Sequence, residues 1–167
     1  PQVNTAEQAA AVVSAARYAP EGSRGVGLAR AHGYGMAFQE YIDQANDEVT
    51  VVVQAEHAQA VENIEAIVQV PGIDAVLLGP YDLAASFGKM GAIHDPVVTD
   101  ALDRVTQACQ SAGLPLGYFG VTADAVRPWV GRGYNLLIAG TDTLFLGAAA
   151  SRTLTEMRAM SADSAAE

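Results

Sequence analysis

EVTVVVQAE, residues Glu48–Glu56, decides the fold. A continuous β-branched run, Glu48 to Gln54, reads as a strand buried on both faces, the kind found in parallel sheets. Three more apolar segments follow it: Ala75 to Leu78, Leu114 to Phe119 and Tyr134 to Ala139. Helical patterns separate them. Val61, Ile64, Ile67 and Val68 give one, stopped by Pro71-Gly72. Val97, Val98, Ala101, Leu102, Val105, Ala108 and Cys109 give a long amphipathic one closed by Gly113, and Thr122 caps a short one through about Val130. Strand alternating with helix means βαβ units around a parallel sheet. Outward from this core, Asn4-Thr5-Ala6-Glu7-Gln8 carries a capping-box pattern and starts a helix running to about Arg17. Residues 24–35 are glycine-rich and read as a loop, and Phe38, Tyr41 and Ile42 mark a short helix. Leu144 to Met160 is a final helix, with a frayed tail at 161–167. Two architectures satisfy this order: a doubly wound open sheet, or a (β/α)8 barrel. Four strands are clear, and Pro1-Gln2-Val3 can end a fifth. A complete barrel needs about 250 residues, so in the barrel reading part of it lies outside these 167.

Composition narrows the function. Half of the residues are hydrophobic, enough to build a core, and no apolar run approaches a membrane span. Nineteen acidic against nine basic residues give a net charge of −10, which argues against a nucleic-acid binder and fits a soluble cytoplasmic protein. No signal-peptide pattern is present. Cys109 is the sole cysteine, so no internal disulfide forms, and its helical spacing puts it in the core. The first residue is Pro1 rather than Met, which suggests a start downstream of a native one.

In either architecture chemistry belongs at the C-terminal ends of the strands. The first strand ends in Gln54-Ala55-Glu56, and alternation points Gln54 and Glu56 the same way. The second ends in Gly79-Pro80-Tyr81-Asp82. In neighbouring parallel strands Glu56 and Asp82 sit side by side at one rim, an oxygen pair suited to Mg²⁺ or Mn²⁺. Such an ion could polarise a carbonyl as a Lewis acid. Beyond the Gly79-Pro80 turn, backbone N–H groups could face a bound carboxylate. The competing readings are structural: Asp82 ahead of Leu83-Ala84-Ala85 as a helix N-cap, and Glu56 as the start of a helix. His32, His57 and His94 are scattered without metal-ligand spacing. The Gly-rich segments around Arg24 and Tyr34 do not follow a strand, as a nucleotide-binding loop must. Ser86 lacks the setting of a hydrolase nucleophile. Trp129, Tyr118 and Phe119 are assigned to packing.

The segments Tyr18-Ala19-Pro20-Glu21-Gly22-Ser23-Arg24-Gly25-Val26-Gly27, Val53-Gln54-Ala55-Glu56 and Val70-Pro71-Gly72-Ile73-Asp74-Ala75, leading into Gly79-Pro80-Tyr81-Asp82-Leu83, resemble the HpcH/HpaI aldolases across nearly the whole chain. These are class II, metal-dependent pyruvate aldolases acting on 4-hydroxy-2-oxo acids, such as 4-hydroxy-2-oxoheptanedioate and 2-keto-3-deoxy sugar acids. The resemblance implies a (β/α)8 barrel, of which residues 1–160 supply roughly the C-terminal two thirds. It implies a divalent metal (Mg²⁺, Mn²⁺ or Co²⁺) held by Glu56 and Asp82. Gln54 would contact the keto acid, and the Tyr81 N–H would hold the pyruvate carboxylate in a loop shaped by Gly79 and Pro80. It also implies a homo-oligomer, trimeric or hexameric, with the last helix exchanged between partners. In the family the catalytic histidine and a substrate arginine lie upstream of the Pro1 position, so no catalytic residue is assigned within this chain. The expected reaction is reversible aldol cleavage of a 4-hydroxy-2-oxo acid to pyruvate and an aldehyde. The alternatives are a citramalyl- or malyl-CoA-type lyase, which lacks a visible basic cluster for CoA phosphates here, and a catalytically incomplete fragment.

Overall fold

The computed structural model describes residues 1–164. Four parallel strands form one sheet, β1 (Val52–Ala55), β2 (Ala75–Leu78), β3 (Leu116–Gly120) and β4 (Leu136–Ala139), in the spatial order β1-β2-β3-β4. The helices are α1 (Ala6–Ala16), α2 (Phe38–Glu48), α3 (Ala58–Glu62), α4 (Ile64–Ile67), α5 (Pro80–Ser86), α6 (Pro96–Ala112), α7 (Ala123–Val130) and α8 (Asp142–Ser164). Strand order follows chain order, so no strand reversal creates the crevice of a doubly wound sheet. Successive right-handed crossovers then lay the helices on one face.

The burial pattern shows which face. Val53, Ala55, Val76, Leu78, Leu116 and Tyr118 enter one core with Ile64, Ile67, Leu102, Val105 and Cys109 from the helices. The alternate residues, Val52, Gln54, Leu77 and Phe119, are exposed or only partly buried. The Glu48–Glu56 run is therefore buried on one face, not two. It is also shorter than its β-branched composition predicts. Residues 38–48 continue the helical pattern of Phe38, Tyr41 and Ala45, and α2 takes Glu48. Val51 is tied instead to Asp74, its N–H donating to Oδ2 at 2.6 Å while its carbonyl accepts from the Asp74 N–H at 2.9 Å.

Local chemistry sets the helix ends. Thr5 caps α1 by accepting from the Gln8 N–H, and the Gln8 side chain accepts from Asn4, a capping box shifted by one residue. Asp95 caps α6 by accepting from Val97, Pro96 occupies its first position, and Gly113 closes it in the left-handed region at φ 70°. The helix expected over Val61–Val68 divides at Asn63 into α3 and α4. Within the Gly-rich loop, Arg30–Gly35 forms a 3-10 turn, and His32 is buried against Phe38 and Tyr41 rather than held for a ligand. α8 passes Met160 to Ser164; residues 165–167 of the expected tail lie outside the described residues.

Cys109 is fully buried on α6, and burial pushes its thiol up to about 12. Only the thiolate reacts with a disulfide reagent. Ellman's reagent at pH 8 should leave the folded chain untouched and modify one thiol in guanidinium. Rapid native-state modification would contradict this packing.

Candidate active site

The site forms where β1 and β2 end. The parallel register pairs Gln54 with Leu77 and Ala55 with Leu78, so the next step along both strands places Glu56 beside Gly79. The chain makes that approach possible by lacking a side chain there. A Cβ on Gly79 would lie 2.5 Å from Glu56 Oε2 and 3.0 Å from Gln54 Nε2. Gly79 also caps α5, and Pro80 takes its first position, where a missing N–H costs nothing.

Asp82 is therefore not the N-cap. It sits in the first turn of α5, exposed, with Leu83 and Ala84 directed into the core. Negative charge there is favoured by the helix dipole. Helix geometry also leaves the N–H groups of Tyr81 and Asp82 without partners inside α5. Asp82 lies at the rim beyond β2, and the capping explanation does not apply to it.

Glu56 is 2 % exposed. Its Oε1 accepts from the Gln2 N–H at 2.9 Å and its Oε2 from Gln54 Nε2 at 2.6 Å. Burial raises its carboxyl above the ordinary glutamate range. The Gln2 N–H opposes that rise, and the negative charge of Asp82 adds to it. Two acids that sense each other at one rim, one of them desolvated, make a site that gains by taking up a cation. The carboxylates are two, and among the described residues no group of three His, Cys, Asp or Glu side chains could hold a metal. The donor set of this chain thus suits an oxygen-loving divalent ion that completes its shell with water or substrate oxygens.

A cavity of about 220 Å³ opens beside these acids, lined by Gln54, Gly79, Pro80, Tyr81, Asp82 and Phe119. Five of the sequence-predicted residues meet there. Glu56 stands behind it, under Gln54 and Gly79. Phe119 is the residue the sequence reading placed in packing alone. In register it stands two residues beyond Gly117, the partner of Leu77, and so level with Gly79 and Glu56 on the same face, and the strand-end rule applied to the third strand would have found it. The clamp from Gln2 also escaped notice. Gln2 adopts φ 55°, unusual for a residue with a Cβ, and this directs its N–H onto Glu56 while the Val3 N–H bonds the Gln54 carbonyl at 3.3 Å. Pro1-Gln2-Val3 thus lies along β1 without forming a ladder. His57 takes a structural post as the cap of α3, its Nδ1 accepting from Gln59.

The chain is similar to known proteins along most of its length. Residues 1–149 match the family model described as HpcH/HpaI aldolase/citrate lyase. The chain is 44 % identical over 146 residues to a 4-hydroxy-2-oxovalerate aldolase of Rhodococcus jostii, covering 87 % of this chain and 56 % of the relative. It is 39 % identical over 164 residues to a 2-keto-3-deoxy-L-rhamnonate aldolase of Klebsiella pneumoniae, covering 97 % and 61 %. Among solved structures, an HpcH/HpaI aldolase/citrate lyase family protein from Burkholderia cenocepacia superposes with a TM-score of 0.85 at 37 % identity, covering 95 % of this chain and 63 % of that one. The chain spans about three fifths of the length of the relatives it matches.

Proposed function

Because the chain belongs to the HpcH/HpaI aldolase/citrate lyase family, we propose that it carries the metal and keto-acid half of a class II aldolase site. The reaction is reversible cleavage of a 4-hydroxy-2-oxo acid into pyruvate and an aldehyde. The sheet is then part of a (β/α)8 barrel, with the face bearing Val52, Gln54, Leu77 and Phe119 turned to its interior. The sequential strand order and one-sided helices support this reading. The relatives' names, all aldolases of 2-oxo acids or their derivatives, support the chemistry.

The observation that carries the proposal is the paired acids around a cradle only glycine permits. Glu56 and Asp82 would hold Mg²⁺ or Mn²⁺. Such an ion would supply Lewis-acid stabilisation of negative charge on a 2-oxo oxygen. Gln54 fixes the Glu56 carboxylate and stands at the cavity wall, where its amide can reach a keto acid. The free N–H groups at the start of α5 face the substrate carboxylate, and Pro80 fixes the turn that aims them. Groups outside these residues move the proton of the C4 hydroxyl. Such donors speed the reaction to the extent that they favour the charged state over the ground state.

Asp82→Ala should abolish Mn²⁺ binding, read by the electron spin resonance signal of the free ion. The fold should survive, because Asp82 is exposed. Retention of the ion at wild-type affinity would sink the assignment.

We further propose that the protein self-associates through α8, which leaves Leu144, Phe145, Leu146, Leu154 and Met160 exposed. A surface of that kind is what a helix packed on a neighbouring copy presents.

A further inference from the structure

A second and larger cavity, about 380 Å³, adjoins the candidate site. We propose that it receives an apolar tail of the carbonyl substrate, the part beyond C4, and so selects aryl or alkyl aldehydes over polyol ones. The proposal rests on the aldolase reading above and adds to it a substrate class.

Three observations carry it. The first is continuity: Pro80, Tyr81 and Phe119 line both cavities. A substrate held by its 2-oxo acid end in the smaller space therefore meets the larger one past Tyr81 and Phe119. The second is size, since about 300–1,000 Å³ is the usual range for small-molecule pockets. The third is chemistry. Ile93, Leu102, Ala125, Pro128 and Trp129 supply mostly apolar walls. The one arginine at its edge, Arg132, is already engaged: it ion-pairs with Asp103 and lies 4.7 Å over the Trp129 ring. His94 is exposed and Thr99 donates its hydroxyl to the Pro96 carbonyl. Such a space has little to offer the hydroxyls of a sugar-acid chain, and burying them there without partners costs free energy. An apolar tail meets no such penalty. The wall is also held by ring packing: Trp129 stacks on Tyr118 with centroids 4.1 Å apart and abuts Tyr134 edge-on at 4.9 Å. Little ordering remains to oppose binding.

With Mn²⁺ present, calorimetric titrations compare pyruvate with 2-oxo-5-phenylpentanoate, an uncleavable acid bearing a phenyl tail; 3-phenylpropan-1-ol is titrated alone, and the fluorescence of Trp129, the only tryptophan of the sequence, reports entry into the larger cavity. The phenyl acid should bind at least about tenfold tighter than pyruvate. Ala125→Phe, which fills the cavity from α7, should remove that gain and leave pyruvate affinity unchanged. Should that variant lose its circular dichroism signal, Thr99→Phe on α6 makes the same test from the opposite wall. Equal affinity for the two acids, or a gain that survives both substitutions, would overturn the proposal. If neither acid depends on Mn²⁺ while 3-phenylpropan-1-ol still saturates, the aldolase reading fails and the substrate role of the cavity falls with it. If pyruvate binding is metal-dependent but the phenyl group adds nothing, only the tail subsite is lost.

Discussion

Replacing Gly79 with alanine is expected to abolish metal binding at the proposed site although neither proposed ligand is altered. The new methyl group would sit 2.5 Å from Glu56 Oε2 and 3.1 Å from Glu56 Cβ. Contacts that short force something to move. The strand cannot, because its neighbour Leu78 is fully buried and held in register with Ala55. Glu56 must therefore swing away, breaking its hydrogen bonds to Gln2 and Gln54. Overpacking of this sort costs about 1–3 kcal/mol of stability. Displacing groups that orient a ligand costs about 10–100-fold in metal affinity, and displacing the ligand itself should lie at or beyond the upper end. Calorimetric titration with Mn²⁺, paired with a urea melt, reads both effects. Wild-type metal affinity in Gly79→Ala would show that Glu56 does not need the cradle and is not the ligand.

Glu56→Gln should separate function from stability in opposite directions. The amide keeps the shape and removes the charge, so metal binding should be lost. The metal-free fold, however, should become more stable at neutral pH. The sign follows from burial, which raises the folded-state pKa of Glu56 above its unfolded value. The folded state then binds the proton more tightly than the unfolded one. Stability associated with the protonated form is present below the unfolded pKa, near 4.5, and declines as pH rises through the folded value. A glutamine holds the neutral form at every pH. Its advantage in thermal midpoint over the wild type should therefore be absent below about pH 4 and grow toward neutrality. An equal difference at pH 4 and pH 7 would contradict the burial argument. In the wild type, bound Mn²⁺ should remove the penalty, because the cation supplies the compensation that water no longer gives.

What the sequence revealed follows the range over which each signal acts. Strands and helices rest on local periodicity, and the alternation was plain from β1 to α8. The rim acids also followed from local facts, since strand alternation and parallel pairing together bring Glu56 and Gly79 abreast. Boundaries were less legible. The β-branched residues from Val49 to Val51 look like strand, yet α2 claims Glu48 and the ladder begins at Val52. One-sided burial was hidden because Val52 and Leu77 are as apolar as Val53 and Val76. Apolar residues on both faces look alike in sequence whether the second face is covered by helices or lines an interior. The contacts that depend on distant segments could not be read at all. No pattern announces that the Gln2 N–H reaches Glu56 across 54 positions, or that Tyr81 and Phe119 stand between two cavities.

The Gln2 contact has a consequence for control. One carboxylate fastens the first residues of this segment to the sheet, and the same carboxylate is offered to the ion. On the ligand assignment proposed above, ion binding and docking of residues 1–3 are coupled, and each changes the affinity of the other by the same factor. Anything that pulled those residues off β1, such as a competing chain or a proteolytic cut just after them, would change the hydrogen bonding of the proposed ligand Glu56 while leaving Glu56 and Asp82 themselves intact.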